Sequence, residues 1–364
     1  MILLAVTIIF FILIIYAFVR TEPFGSLSYG KRKERIEKSP NYRDGRFQNL
    51  HHTPDLAEDA SYYSVLMEFF FRKKERPKPT TLIPAHKTSL KELKPDEQVL
   101  IWMGHSSYFI QIDGKKILVD PVLSGAASPI SFTTKAFPGT DMYKVEDLPH
   151  IDYLFISHDH WDHLDYTTIH ALKNKVGKLI TGLGTGAHLE RWGYNEEQII
   201  ELDWYEKTVL AEAVEITALP ARHFSGRGLK RNQSLWVSFA LQMPSMKLYL
   251  GGDSGYDDHF AQIGEAHGPF DLAILECGQY DNNWRYIHML PNQIMPAARA
   301  LKAKQLLPVH WSKFTLANHA WDEPVTELLK SVKENDPEVL TPMIGQKLDL
   351  FNPSGLSQWW LQVQ

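Results

Sequence analysis

From Gln98 onward, short apolar and β-branched runs recur along the chain, at 99–103, 108–112, 116–119, 153–156, 178–181, 214–219, 235–241, 247–250, 271–275 and 305–309. Runs of this length and composition predict strands. The early ones follow one another through tight turns such as Asp113-Gly114, a hairpin signal. Later ones alternate with helical patterns at 167–176, 257–267 and 291–304. Strand meanders followed by αβ units predict an α/β domain over 96–364, with two sheets and helices outside them. No short repeat of the solenoid kind is present.

Two regions precede this domain. Residues 1–19 (MILLAVTIIFFILIIYAFV) carry no charge and end at Arg20. An uncharged apolar run of about 18 residues or more predicts a membrane-spanning helix, which satisfies its backbone groups internally. No basic residue precedes the run and no small-x-small site closes it, which favours a retained anchor over a cleaved signal peptide. Between Arg20 and Leu50 eight basic residues face four acidic ones, which predicts that the domain lies on the cytoplasmic side of a single-pass anchor. Residues 20–95 read as an extension, with a charged, proline-broken linker at 72–79 and an apolar, aromatic stretch at 61–71 expected to pack as a helix.

Charge narrows the function. Lys+Arg 38 against Asp+Glu 43 leaves −5, which excludes a polybasic nucleic-acid binder. The single cysteine, Cys277, excludes an internal disulfide framework and a thiolate-rich metal site. The 16 histidines point elsewhere, because six consecutive positions read His158-Asp159-His160-Trp161-Asp162-His163, directly after a strand. Imidazole and carboxylate suit Zn²⁺ without any thiolate. In an extended-to-turn segment His158 and His160 project to one side and close on one ion, while Asp162 and His163 fall on the next turn and face a second. Further ligands are expected at other strand ends: His223 follows Ala221-Arg222, Asp253 follows Gly251-Gly252, and His310 follows Pro308-Val309.

The segment 157–165 matches the H-x-H-x-D-H signature, and the chain resembles the metallo-β-lactamase superfamily. The stretches 101–107, 119–121, 202–205, 252–256, 268–273 and 310–311 resemble a narrower branch, that of the N-acylphosphatidylethanolamine-hydrolysing phospholipases D and their bacterial relatives. The resemblance implies a four-layer αβ/βα sandwich and a two-zinc site, other divalent metals also being compatible. It assigns His158, His160 and His223 to one ion and Asp162, His163 and His310 to the other, with Asp253 bridging. Asp120 and His105 match branch positions as outer supports of the ligands. The stretch 286–292 resembles an H-x-D-P-E motif but lacks both acids, and Glu276 stands where an apolar residue is expected.

The expected activity is a phospholipase D-type phosphodiesterase releasing N-acylethanolamine-like products from membrane glycerophospholipids through a metal-bridging hydroxide. Asp162 would orient the attacking group, and His288 would contact the reacting phosphate. Arg227, Lys230 and Arg231 follow closely on His223 and are expected to receive an anionic headgroup, with Tyr280 and Trp284 lining an acyl groove. A lactonase or other small-ester hydrolase is the alternative. The oligomeric state is left open.

Overall fold

A computed structural model describes residues 2–71 and 74–363; Met1, Arg72, Lys73 and Gln364, and with them two positions of the charged linker, lie outside the described residues. The chain opens with helix α1 (Ile2–Phe18), followed by α2 (Gly30–Lys38), a two-residue-strand hairpin of β1 (Tyr42–Arg43) and β2 (Arg46–Phe47), and α3 (Tyr62–Phe71).

The first sheet collects β3 (Val99–Trp102), β4 (Tyr108–Ile112), β5 (Lys115–Val119), β6 (Ile151–Ile156), β7 (Val176–Gly182) and β8 (Ile199–Leu202), with α4 (Tyr166–Leu172) and α5 (Gly186–Arg191) between its later strands. The second collects β9 (Lys207–Ala211), β10 (Val214–Leu219), β11 (Ser238–Gln242), β12 (Lys247–Leu250), β13 (Phe270–Glu276), β14 (Ala303–Val309) and β15 (Glu338–Val339), with α6 (His259–His267), α7 (Pro291–Ala300) and α8 (Glu323–Lys330). The final strand, β16 (Lys347–Asp349), returns to the first sheet beside β3. Each sheet has seven strands and mixes antiparallel with parallel pairs.

Strand alternation explains the layering. Ile117, Val119, Tyr153, Phe155 and Ile180 share one core with Ile216, Ala218, Phe239, Leu241 and Leu248 of the other sheet. The alternate residues Leu118, Leu154, Ile156 and Leu179 face outward and pack with Ile169, Leu172 and Leu189 of α4 and α5. Buried on both faces, such strands read as continuous apolar runs. Four strands of the two seven-stranded sheets escaped the sequence pattern. Of these, β8, β9 and β15 have few fully buried residues and β16 is only three residues long, so they lack the apolar run that marks a central strand. The run at 235–241 pairs as a strand only from Ser238. Before it, Leu235 and Val237 donate backbone N–H groups to Leu183 O (2.8 Å) and Ser157 O (3.0 Å), bridging the sheets.

The expected membrane anchor is corrected by the length of α1. Its 17 residues span about 26 Å, short of the roughly 30 Å hydrocarbon core, and no helix of the described residues is long and apolar enough to cross a membrane. The chain leaves the helix early because its next residues dock on the domain. Phe24 stacks edge-on against both Phe18 and Trp161, and Arg191 pairs with Glu22 and donates to Arg20 O. The single-pass topology and the side-of-membrane assignment fall with the anchor.

The extension is woven into the domain. Ile36 and Phe47 are buried in the main core, and Arg32 joins Glu190 and Glu201.

Candidate metal centre

Strand direction decides where the chemistry gathers. In the first sheet β3, β5 and β6 run the same way, and in the second so do β10, β12, β13 and β14. Their carboxyl ends carry Glu276, the last residue of β13, and open into the loops that hold His105, Asp120, His158–His163, His223, Asp253 and His310. Residues up to 205 apart in sequence therefore meet at one rim.

Three imidazoles form one group. His160 Nδ1 lies 2.9 Å from His158 Nε2 and 3.2 Å from His223 Nε2. A second group centres on Asp162, whose Oδ2 is 3.2 Å from His310 Nε2, 3.6 Å from His163 Nε2 and 2.9 Å from His105 Nε2. Asp253 Oδ2 sits between the groups, 3.2 Å from His163 Nε2 and His310 Nε2 and 3.8 Å from His158 Nε2 and His223 Nε2. Ligand atoms around a tetrahedral Zn²⁺ at 2.0–2.1 Å are separated by about 3.3 Å, close to these spacings. His163 Nε2, which faces the Oδ2 atoms of Asp162 and Asp253, and Asp253 Oδ1 are buried without a hydrogen-bond partner. Buried polar atoms left unpaired at a convergence of nitrogen and oxygen donors fit a bound cation.

The Nδ1 atoms of His158, His163, His223 and His310 are held from outside. Asp120 Oδ2 lies 2.8 Å from His163 Nδ1 and accepts from Ser157 Oγ at 2.6 Å, and that hydroxyl sits 3.0 Å from His158 Nδ1. His223 Nδ1 faces Ile287 O at 2.8 Å and His310 Nδ1 faces Gly278 O at 3.1 Å. Such partners fix tautomer and ring orientation. Asn49 of the extension clamps His223 by its backbone, accepting from its N–H and donating to its carbonyl. His105 does not support a neighbouring imidazole; it bonds Asp162 directly. The loops holding these groups are strained: His105, Asp120 and His310 have φ of 52°, 41° and 69°, a region costly for non-glycine residues and typical of functional sites. They lock each other, since His105 N donates to Trp311 O and His310 N to His105 O. At Gly252 (φ 61°) a Cβ would come within 2.7 Å of Ser157 Cβ, so the glycine lets the Asp253 loop approach the 157–163 turn.

Electrostatics divides the cluster. Burial pushes His158 and His223 well below the ordinary histidine value, His160 down to about 4 and His105 down to about 3. Burial acts on His310 and His163 too, but the surrounding carboxylates, Asp253 foremost, raise His310 to about 10 and hold His163 well above its usual range. Against burial, these imidazoles keep Asp162 and Asp253 well below the usual carboxylate range.

The centre opens into a cavity of about 310 Å³. Its lining combines His160, Asp162, His223, Asp253, His288 and His310 with the apolar surface of Leu56, Tyr62, Phe224, Trp284, Ile287 and Leu316, and Arg231 and Asp55 also line it. Arg231 lies over Phe224 and pairs with Asp55 at 2.9 Å.

Three expected substrate contacts lie elsewhere. Arg227 is buried behind the 158–163 turn, where it donates to the carbonyls of Asp159, Leu164 and Pro23 and stacks on Trp161. Lys230 lines a different cavity on that rear side. Tyr280 donates to Glu323 at 2.7 Å and stacks on His319, away from the metal-facing cavity. Proximity to His223 in sequence misled for the loop, because Ser225-Gly226 turns the chain away and Gly226 N bonds the rear carboxylate Asp159.

Sequence reasoning gave no role to Glu276, which is buried against His288. Its signal was an acid closing an otherwise apolar strand. Leu56 and Tyr62 of the extension also went unassigned, and α3 brings an aromatic to the cavity mouth.

A β-lactamase superfamily domain model matches residues 115–311. The chain belongs to the metallo-β-lactamase superfamily. An uncharacterised protein of Mycobacterium tuberculosis is 38% identical over 328 residues, 89% of this chain and 88% of the relative. An N-acyl-phosphatidylethanolamine-hydrolysing phospholipase D of Caenorhabditis elegans is 29% identical over 249 residues, 64% of this chain and 69% of that protein. Among solved structures, a metallo hydrolase of the archaeon Ignicoccus hospitalis superposes with a TM-score of 0.54 at 20% identity, covering 69% of this chain and 97% of that one, a likeness of fold. The protein is thus a metal-dependent hydrolase of this superfamily, and its donor clusters are the candidate metal-binding groups.

Proposed function

We propose that the protein is a zinc-dependent phosphodiesterase of phospholipase D type, hydrolysing an N-acylated ethanolamine glycerophospholipid to a phosphatidic acid and an N-acylethanolamine. The observation that carries this reading is the cavity, whose lining joins cation-competent donors to apolar side chains and a guanidinium. A phosphodiester flanked by acyl chains has matching chemistry, and the similarity to the nematode phospholipase D points the same way.

His158, His160 and His223 would hold one Zn²⁺, Asp162, His163 and His310 a second, with Asp253 between them. Bound there, the ions would supply Lewis acidity, ionising water near neutral pH and drawing charge from phosphoryl oxygens. Asp162, fixed by His105 at 2.9 Å, orients the attacking oxygen. His288 borders the cavity and offers a ring nitrogen to the phosphate or the departing oxygen. Arg231 adds positive charge for the lipid phosphate. Leu56, Tyr62 and Trp284 shield the acyl chains from water.

The test is a turnover series with purified, zinc-loaded protein on N-acylphosphatidylethanolamine, an acyl lactone and a cephalosporin. Release of N-acylethanolamine is the expected result. Turnover of the lactone alone would transfer the same centre to carboxylic ester chemistry and end the phosphodiesterase reading.

A further inference from the structure

Glu276 closes β13 after the apolar run Leu272-Ala273-Ile274-Leu275 and is 1% exposed. A carboxylate there is costly unless its oxygens are satisfied. They are, by groups of the cavity wall and not by a lysine or arginine. Oε2 lies 2.5 Å from His288 Nδ1 and 3.3 Å from His310 Nδ1, while Oε1 accepts the backbone N–H of Met289 at 2.8 Å. The carboxylate thus grips His288 twice, by its ring and through the next peptide.

The loop that carries His288 has no acid of its own. Leu290 and Asn292 occupy the positions where the motif it resembles has acids, and Leu290 N is taken by Gln293 as α7 begins. The ring stacks on His310 at 5.2 Å with 17° between planes, which limits its rotation. With Nδ1 committed to Glu276, Nε2 is the ring nitrogen without a hydrogen-bond partner among the described residues, and the ring borders the cavity.

We propose that Glu276 is the positioning residue of His288: lent across from a neighbouring strand in place of an acid on the histidine's own loop, it holds the ring in the Nδ1–H tautomer and presents Nε2 to the substrate. A carboxylate that accepts the inner N–H of an imidazole sets which nitrogen faces outward. The kinetic part of this inference rests on the phosphodiesterase reading; the structural part does not.

The test uses the full, zinc-loaded chain with Glu276→Gln, Glu276→Leu, His288→Ala and the Glu276→Gln/His288→Ala double variant. In the wild type, the ring ¹⁵N–¹H spectrum, with the His288 signals identified by their loss in His288→Ala, is expected to show the Nδ1–H tautomer. The Nε2–H tautomer would overturn the proposal whether or not any variant folds. Glu276→Gln and Glu276→Leu are expected to shift or mix the tautomer and keep their zinc. Each should lower kcat on N-acylphosphatidylethanolamine by about 10-fold to 100-fold, as for other supporting partners, with KM within about twofold. The double variant should be no slower than His288→Ala, because the two residues act as a unit. Losses that multiply, or loss of zinc from the Glu276 variants, would make Glu276 a support of His310 instead. If the wild type turns over no phosphodiester, the ring spectrum still decides the contact.

Discussion

The turn at 158–163 has two faces, and they differ in how their polar atoms are satisfied. On the front, His158, His160, Asp162 and His163 converge with His223, Asp253 and His310, and His163 Nε2 and Asp253 Oδ1 remain unpaired. On the rear, Asp159 is equally buried but fully engaged: Gly226 N donates to Oδ1 at 2.6 Å, Ser234 Oγ donates to Oδ2 at 2.8 Å, and His188 Nε2 lies 3.3 Å from Oδ2. Trp161, on the same side, meets Phe24 edge-on and lies under Arg227. Charge and burial are therefore alike on the two faces. The front leaves donors aimed at a shared space, whereas on the rear both Asp159 oxygens are bonded within the protein. Unsatisfied convergence marks the chemistry here, and satisfied burial marks the architecture.

The sharpest way to break this contrast is to remove a front donor. His160→Ala should lower activity by more than about 100-fold, beyond the range for outer partners, and lower bound zinc in parallel. Unchanged metal content by elemental analysis would remove His160 from the ligand set. Asp120→Asn, which loosens the hold on His163, should cost about 10-fold to 100-fold in zinc affinity or activity while the fold stays intact. Competition against a chelator measures the first of these.

The front face also predicts proton release. In the metal-free protein His163 and His310 stay protonated at pH 7, because their acidic neighbours raise them above it, His310 to about 10. A cation must displace those protons, so loading at pH 7 should release about two per protein and zinc affinity should weaken as pH falls. Calorimetry in buffers of different ionisation enthalpy counts them; zero release would show that neither imidazolium exists.

On the rear, Arg227→Met should act on stability. It strips a cation from buried carbonyls and from the surroundings of Asp159, a change expected to cost about 3–5 kcal/mol in denaturant unfolding. The folded fraction should keep its zinc. Zinc lost in proportion would erase the distinction between the faces. The smallest effects are expected from Lys230→Ala and Tyr280→Phe, both away from the metal-facing cavity, with kcat/KM within about twofold of wild type.

Much of the site was legible because it is local in sequence or repeats a local signal. The hexapeptide presents its alternation directly, and His223, Asp253 and His310 each close an apolar run. Two kinds of residue were not legible. Arg227 and Lys230 are near His223 in sequence, yet which way a loop turns depends on contacts as distant as Pro23. Glu276 carried a visible oddity, an acid closing a buried strand, but its partner lies 12 positions on and is reached through the fold alone. The apolar amino-terminal run shows a third limit. Composition suggested a span, whereas helix length depended on where Phe24 and Arg191 hold the chain that follows.

What the sequence determined by itself was the alternation of strands, the identity of the donors and the family, since each is written in neighbouring residues or in ordered motifs. What only the tertiary structure decided was which face each donor serves and which stay unpaired. That depends on strand direction and on loops crossing from the other sheet, interactions between residues whose separation in the chain carries no record of their distance in space.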